Sequence, residues 1–318
     1  ELKFEKVEVD FPPEFEEMRQ VLKKLYEGYV EELRKRSVLF GPVNKIILIQ
    51  LQQKIMASLA RGNKNFNYML GASACAQAVK IQHAMELLET QTLESFNKYL
   101  KNLLNQASKK QSRGVVKLVA KPEFNLVYSS TCELLAKKQE HPKLIELEKI
   151  IIKEKQGNPK IKIIVFTQFR DTATIIAKKL NEVSGIKAKV FVGQAKRDGI
   201  EGTGLNQKQQ KKIIEDFSEG KINILCATSI GEEGLDIPEV NAVVFYEPIP
   251  SAIRSIQRRG RTARLMPGKL IMLITKNTRD QTFYYASRAR EKKMHSAITG
   301  IKEELKNNGK FEEQKKLE

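Results

Sequence analysis

The sequence of 318 residues lacks the residues that usually build metal sites and disulfide frameworks. It has no tryptophan, three histidines and three cysteines. Cys75, Cys132 and Cys226 are far apart, form no CxxC pair and have no histidine at metal-ligand spacing. We therefore expect no structural zinc, no other metal site and no disulfide framework, and we expect a reducing compartment.

Long apolar runs are also missing from the sequence. No run approaches the roughly 20 residues that a helix needs to cross a bilayer. No signal peptide opens the chain, which begins with Glu1 instead of methionine. We expect an intracellular protein without membrane contact, and we expect this sequence to be a fragment of a longer one.

Positive charge is what the sequence has in excess. Its formal net charge is +18 and its isoelectric point is near 9.6. Such an excess favours a polyanionic partner, because contacts to phosphates release condensed counterions. The alternative is a lysine-rich surface that serves only solubility, as in heat-adapted proteins.

Apolar periodicity divides the chain into two kinds of structure. Residues 1–11 alternate as a short strand or extended linker, and helical spacing then dominates to about residue 138. The basic residues of this part include Lys109, Lys110, Arg113 and Lys117, which suggest a nucleic-acid face or simply a solvated one. We expect an all-helical domain over residues 1–138.

From residue 139 onward, strands alternate with helices. Short apolar runs such as 161–166 and 222–226 are typical of strands buried on both faces, and helical patterns separate them. This alternation predicts an α/β fold with a parallel sheet over residues 139–299. Residues 300–318 are charged and poor in apolar side chains, which predicts a tail.

The segment Ala227–Arg264, ATSIGEEGLDIPEVNAVVFYEPIPSAIRSIQRRGRTAR, combines a glycine-rich turn with four arginines in its last seven residues. Such a turn brings backbone N–H groups close to a phosphate, and arginine offers a planar, permanently charged fork. The residues alone predict a phosphate-handling site on an α/β scaffold.

The same segment resembles two motifs of the superfamily 2 helicases. ATSIGEEGLDIP is similar to motif V, and QRRGRTAR is similar to motif VI, although Ala263 stands where a glycine is usual. FVGQA (Phe191–Ala195), GLNQKQQ (Gly204–Gln210) and EHPKL (Glu140–Leu144) narrow the resemblance to the branch of archaeal Hef and the Fanconi anaemia M protein. That branch has a helical insertion between two RecA-like motor domains, and KIQHAMELLETQ (Lys80–Gln91) resembles part of it.

The resemblance implies an ATP-dependent DNA helicase or translocase that acts on forked or branched DNA, in the nucleoid of a prokaryote or the nucleus of a eukaryote. This chain would be the helical insertion and the second RecA-like domain. It has no GxxxxGK[ST] loop and no DEAD- or DEAH-like acidic box. ATP and Mg²⁺ would therefore also require a first, N-terminal RecA-like domain, and a C-terminal nuclease domain is left open.

The resemblance also assigns roles to individual residues. Arg261 and Arg264 would be arginine fingers, Gln257 would orient the γ-phosphate, and Gly234 and Asp236 would contact the nucleotide, with Asp236 at the ribose. The nucleic-acid track would consist of Thr167, Gln168, Arg170, Gly193, Gln194, Lys196, Thr228 and Ser229.

Each assignment has an alternative. The arginines could form a general basic patch, Asp236 could be a turn residue, and each track residue could cap the helix after its strand. The whole protein could instead be a double-stranded-RNA sensor or processing helicase, or a nucleic-acid-binding module without catalysis. Competition between DNA and RNA for binding would test the RNA-helicase alternative. The sequence upstream of Glu1 would test the alternative of a binding module without catalysis.

Overall fold

Six parallel strands form one sheet in the order β1-β6-β5-β2-β4-β3 in the computed structural model, which describes residues 3–193, 205–228, 238–249 and 268–290. The strands are β1 (Lys3–Val9), β2 (Ile163–Phe166), β3 (Ala188–Phe191), β4 (Ile224–Ala227), β5 (Ala242–Phe245) and β6 (Lys269–Thr275). Every residue of β2, β4 and β5 is buried, because helices cover both faces of the sheet.

The helices that cover the sheet are α7 (Pro142–Gly157), α8 (Arg170–Leu180) and α9 (Gln207–Ser218). Leu147 of α7 and Ile176 of α8 pack in one core with Ile163. Phe217 of α9 packs in the other core with Ile164. A further helix, called α10, covers residues 279–290. The predicted α/β class with a parallel RecA-like sheet is confirmed.

Six helices form a bundle that precedes the sheet helices in the chain. They are α1 (Pro13–Lys35), α2 (Lys45–Ala60), α3 (Phe66–Thr90), α4 (Leu93–Ser108), α5 (Arg113–Val119) and α6 (Pro122–Ala136). Their core includes Leu22, Leu33, Phe96 and Phe124, each at most 1% exposed. The all-helical character predicted for this part is confirmed for residues 13–136.

The first strand corrects the expected start of the helical domain. Residues 3–9 pair in parallel with β6, from Lys3 beside Lys269 to Val9 beside Thr275. These residues therefore belong to the edge of the sheet, although the helical domain was expected to begin at residue 1. Their alternating burial fits an edge strand with one covered face.

The basic residues of the bundle lie on its surface. Lys109, Lys110, Arg113 and Lys117 are all exposed, at and around the short helix α5. Their role in contacting nucleic acid stays a prediction. Among the described residues, no helix combines the length and the hydropathy that a membrane span requires.

Candidate nucleic-acid interface

The carboxyl ends of β2, β4 and β3 lie side by side, and three of the predicted track residues follow them. The backbone N–H of Thr167 after β2 donates to the carbonyl of Ala227 at 3.0 Å, and that of Thr228 after β4 donates to Phe191 at 3.3 Å. Gly193 follows β3 by two residues. The structure thus brings Thr167, Thr228 and Gly193 to one sheet edge, where ligands bind in open α/β sheets.

Gln168 and Arg170 extend this edge toward solvent. The Gln168 side chain is exposed, and Arg170 begins α8. Arg170 Nη2 donates to the carbonyl oxygen of Gly193 at 3.2 Å, so it connects the turn after β2 with the turn after β3. Among the described residues, no atom lies within 4 Å of the point where a side chain on Gly193 would begin.

Thr167 faces inward, which corrects its predicted direct contact with nucleic acid. The residue is fully buried, and its Oγ1 lies 3.2 Å from both Gln91 Oε1 and Glu247 Oε1. Its backbone N–H is also used, in the bond to Ala227. In this arrangement Thr167 supports the turn and offers no donor to solvent.

Glu247, two residues beyond the end of β5, anchors this turn from the interior of the protein. Its Oε1 accepts the backbone N–H of Gln168, and its Oε2 accepts the side-chain amide of Gln91 from the end of α3. Burial raises the pKa of the Glu247 carboxyl to about 7, and the positive charge of Lys143 opposes only part of that shift. This carboxyl therefore exchanges a proton near neutral pH.

A buried ion pair lies beside Glu247. Lys143 Nζ lies 2.7 Å from Asp280 Oδ2 and 2.8 Å from the carbonyl oxygen of Tyr246, and both charged side chains are almost completely buried. Burial raises the pKa of Asp280, whereas the bonds from Lys143 lower it. The Tyr246 hydroxyl donates to the Gln91 carbonyl at 3.1 Å, which fixes the end of α3 against β5.

His141 completes the buried contact between the bundle and the sheet helices. Its Nε2 donates to the carbonyl of Glu89 at 3.0 Å, and its Nδ1 accepts the backbone N–H of Lys143 at 3.2 Å. Burial lowers the pKa of the imidazole to about 3, and the neighbouring charge of Lys143 acts in the same direction. His141 is therefore neutral, with its proton on Nε2.

Contacts nearer to solvent surround this buried set. Glu89 pairs with Arg19 at 2.9 Å and also with Arg279 of α10. The ring of Phe169, directly after Gln168, contacts the His83 ring of α3 with centroids 5.6 Å apart. The turn Thr167–Phe169 is thus held by the bundle on two sides.

The other predicted site residues, Gln194, Lys196, Ser229, Gly234, Asp236, Gln257, Arg261 and Arg264, lie outside the described residues, and their roles stay predictions. Sequence reasoning missed Gln91, Lys143 and Glu247. The rule that selected Thr167 also applies to Glu247, because it too follows a buried strand at the carboxyl edge. In the described ranges, no cluster of histidine, cysteine and acidic residues could hold a metal ion.

Comparison with known proteins agrees with this architecture. Residues 142–266 match the family described as the helicase conserved C-terminal domain, and residues 14–141 match the helical bundle of candidate ATP-dependent RNA helicases. The helicase domain of Hef from Pyrococcus furiosus has a TM-score of 0.76 and 39% identity, over 90% of this chain and 58% of that one.

Two curated relatives are similar over most of this chain. A candidate ATP-dependent RNA helicase of Methanocaldococcus jannaschii is 35% identical over 298 residues, which are 93% of this chain and 36% of that protein. The candidate ATP-dependent DNA helicase fml2 of Schizosaccharomyces pombe is 30% identical over 292 residues, 87% of this chain and 36% of that protein. The chain thus spans about a third of these relatives' length. Helical bundle, parallel sheet and matches together show that the chain belongs to the Hef and Fanconi anaemia M branch of the superfamily 2 helicases.

Proposed function

We propose that this chain is the helical insertion and second RecA-like domain of an ATP-dependent DNA helicase or translocase that acts on forked or branched DNA. The observation that carries the proposal is the alignment of Gln168, Arg170, Gly193 and Thr228 along one carboxyl edge of a Hef-like sheet. In this proposal the bundle α1–α6 is the insertion, with its boundary near residue 138, and residues 300–318 are a charged tail.

The exposed edge suits a grip that is independent of base sequence. Gln168 offers an exposed amide, Thr228 a half-buried hydroxyl, and Gly193 a backbone without a side chain. Contacts of this kind to phosphates and sugars position a protein without reading bases. A translocase needs such a grip, because it must hold every sequence and release it again. The net charge of +18 strengthens the long-range attraction to DNA.

The nucleotide would bind between this sheet and a first RecA-like domain. That domain would supply the phosphate loop and the acidic residues for Mg²⁺, since this sequence has neither motif. Arg261 and Arg264 would stabilise the transferring phosphoryl group, Gln257 would orient it, and Gly234 and Asp236 would contact the nucleotide. Opening and closing of the cleft would move the track along the strand.

Binding competition tests the choice of substrate. We expect forked DNA to displace a labelled fork from this chain better than duplex DNA does, and duplex RNA to compete least. Salt should weaken all binding, because phosphate contacts dominate it. Preference for duplex RNA would overturn the DNA assignment and favour the RNA alternative, which the name of the M. jannaschii relative supports.

Turnover tests the arginine fingers. In the full-length protein, Arg264→Ala should lower DNA-stimulated ATP hydrolysis by about 10³-fold or more, while DNA binding persists. Arg290→Ala, which removes the same charge from the exposed side of α10, is the matched control and should leave turnover unchanged. Equal loss of binding and hydrolysis in Arg264→Ala would place that arginine in the track instead.

A further inference from the structure

We propose that Gln91 and Glu247 are positioning residues through which the helical bundle sets the turn that presents Gln168 and Arg170 to nucleic acid, and that proton uptake by Glu247 strengthens this grip. The proposal rests on the proposed function of the sheet edge. It adds two residues, 156 positions apart in the sequence, that have no part in the predicted track.

The hydrogen bonds around Glu247 accommodate both protonation states of the carboxyl, and its burial favours the neutral state. Thr167 Oγ1 lies 3.2 Å from two acceptors, Gln91 Oε1 and Glu247 Oε1, but a hydroxyl has a single proton. If Glu247 is protonated, it donates to Thr167 and the hydroxyl donates to Gln91, so every oxygen has a partner. If Glu247 is ionised, its Oε1 still accepts the Gln168 N–H and its Oε2 the Gln91 amide, but the charge is then buried with no cation of the described residues in direct contact with it, which is costly.

The charges that face Glu247 offset the effect of its burial only in part. Lys143 of α7 is the neighbouring cation, but its Nζ is already bonded to Asp280 and to the Tyr246 carbonyl. Asp280 of α10 adds a second negative charge, which raises the pKa of Glu247 further. Gln91 of α3 and the Gln168 backbone contribute only hydrogen bonds.

These contacts determine where Gln168 stands. Its backbone N–H is bonded to Glu247, and the next residue, Phe169, packs against His83 of the bundle. The side chain of Phe169 does not cap the start of α8, so these two contacts contribute to holding the turn. Gln91 is itself fixed, because its carbonyl accepts the Tyr246 hydroxyl at 3.1 Å. A shift of α3 therefore moves the turn.

A phosphate at Gln168 would act on the same proton. The negative charge of bound nucleic acid favours the neutral form of a nearby carboxyl. By linkage, nucleic acid should bind more tightly when Glu247 is protonated, and its affinity should fall as the pH rises through neutrality. With charges about 10 Å apart at an effective dielectric constant of about 20, we expect the affinities of the protonated and ionised forms to differ roughly 15-fold.

The test measures the Kd of a labelled forked DNA for this chain from about pH 6 to about pH 8.5, around the pKa of about 7, at fixed salt and well below the melting temperature. Glu247→Gln keeps the shape and the neutral charge of the protonated acid; its amide oxygen still accepts the Gln168 N–H, and its amide nitrogen donates to Gln91 Oε1 when the Gln91 amide turns over. We expect the wild-type affinity to fall about tenfold over this range and the Glu247→Gln affinity to stay near the wild-type value at the acid end.

Exchange of the two side chains tests the positioning role separately. Gln91→Glu places two carboxyls together and should weaken binding at every pH. The double variant Gln91→Glu with Glu247→Gln restores one acid and one amide and should recover most of the affinity. A role in stability alone would change the melting temperature without this rescue and without a change in the pH profile.

Glu89→Gln is the matched control, because Glu89 is a buried carboxylate at the same end of α3 but faces Arg19 and Arg279 instead of the turn. Its binding should follow the wild-type pH profile. If wild type and Glu247→Gln show the same pH dependence, or the exchange does not rescue, the positioning proposal is wrong while DNA binding stands. If wild type binds no nucleic acid at any pH, the proposed function fails, and this inference fails with it.

Discussion

The contact between the bundle and the sheet has two parts that use similar side chains in different surroundings. The buried junction consists of Lys143, Tyr246, Glu247 and Asp280 together with His141, Gln91 and Thr167. At the rim, Lys98 of α4 pairs with Asp171 of α8. In the junction, the side chains of Lys143 and Asp280 are 0% and 1% exposed, whereas those of Lys98 and Asp171 are 63% and 32% exposed.

The difference in exposure determines what each ion pair contributes. Water screens the charges at the rim, so a pair there contributes at most about 1 kcal/mol. In the junction, removing one partner leaves a buried charge without compensation, which typically costs about 3–5 kcal/mol. The buried Lys143–Asp280 pair, which joins α7 to α10, therefore matters more to stability than the exposed Lys98–Asp171 pair between α4 and α8.

Removal of the buried cation should have the largest effect. Lys143→Met leaves Asp280 charged and buried, and we expect the free energy of unfolding to fall by about 3–5 kcal/mol in urea titrations. Lys212→Met, which breaks an exposed pair with Asp216 on α9, is the control and should change stability by less than about 1 kcal/mol. Similar losses for the two variants would show that burial does not distinguish them.

The two junction groups with shifted pKa values should tilt the pH profile of stability in opposite directions. The folded-state pKa of His141 is about 3, below the ordinary 6.5, so its contribution is present above pH 6.5 and is lost as the pH falls. The folded-state pKa of Glu247 is about 7, above the ordinary 4.5, so its contribution is present below pH 4.5 and is lost as the pH rises. Between pH 6.5 and about pH 5 the two nearly cancel.

Single variants should expose this cancellation. Relative to wild type, His141→Asn should gain about 1.5–2 kcal/mol of stability on going from pH 6.5 to about pH 5, and Glu247→Gln should lose a similar amount. Urea titrations at the two pH values measure both slopes, whatever the constant effect of each substitution. Parallel profiles of stability against pH for wild type and the two variants would contradict the assigned pKa shifts.

The smallest effect is expected at the rim. Lys98→Met removes the 2.7 Å contact to Asp171 between α4 and α8 and should lower the free energy of unfolding by less than about 1 kcal/mol. Because the pair is exposed, high salt should remove most of this difference, since the Debye length falls to about 3 Å at 1 M salt. A loss of more than about 2 kcal/mol of unfolding free energy that persists at high salt would show that this exposed pair contributes more than exposed ion pairs usually do.

The sequence predicted those features that depend on local patterns. The apolar runs 161–166 and 222–226 predicted β2 and β4 within about two residues, and a parallel sheet places Thr167, Thr228 and Gly193, which follow its strands, at one edge. The seven residues of α5 are too few to show a helical period of their own. The predicted fingers lie outside the described residues and stay predictions.

Features that depend on distant pairing could not be read from the sequence. The alternating residues 3–9 suggested a strand or a linker, and only their partner, β6, decides between the two. Gln91 and Glu247 are ordinary polar residues in a helix end and a strand end, and they become a unit only when the bundle docks. The inward orientation of Thr167 follows from the same docking.

The pairing of β1 with β6 means that the sheet and the bundle cannot be separated by one cut. The chain forms an outer strand of the sheet, builds the whole bundle, and only then returns through α7. Truncation at Pro142 would uncover seven residues of β6, most of them apolar, as an open edge. Such an edge recruits strands from other molecules. Any attempt to study the sheet alone must therefore carry the first strand along, for example by joining it to α7 through a short flexible linker.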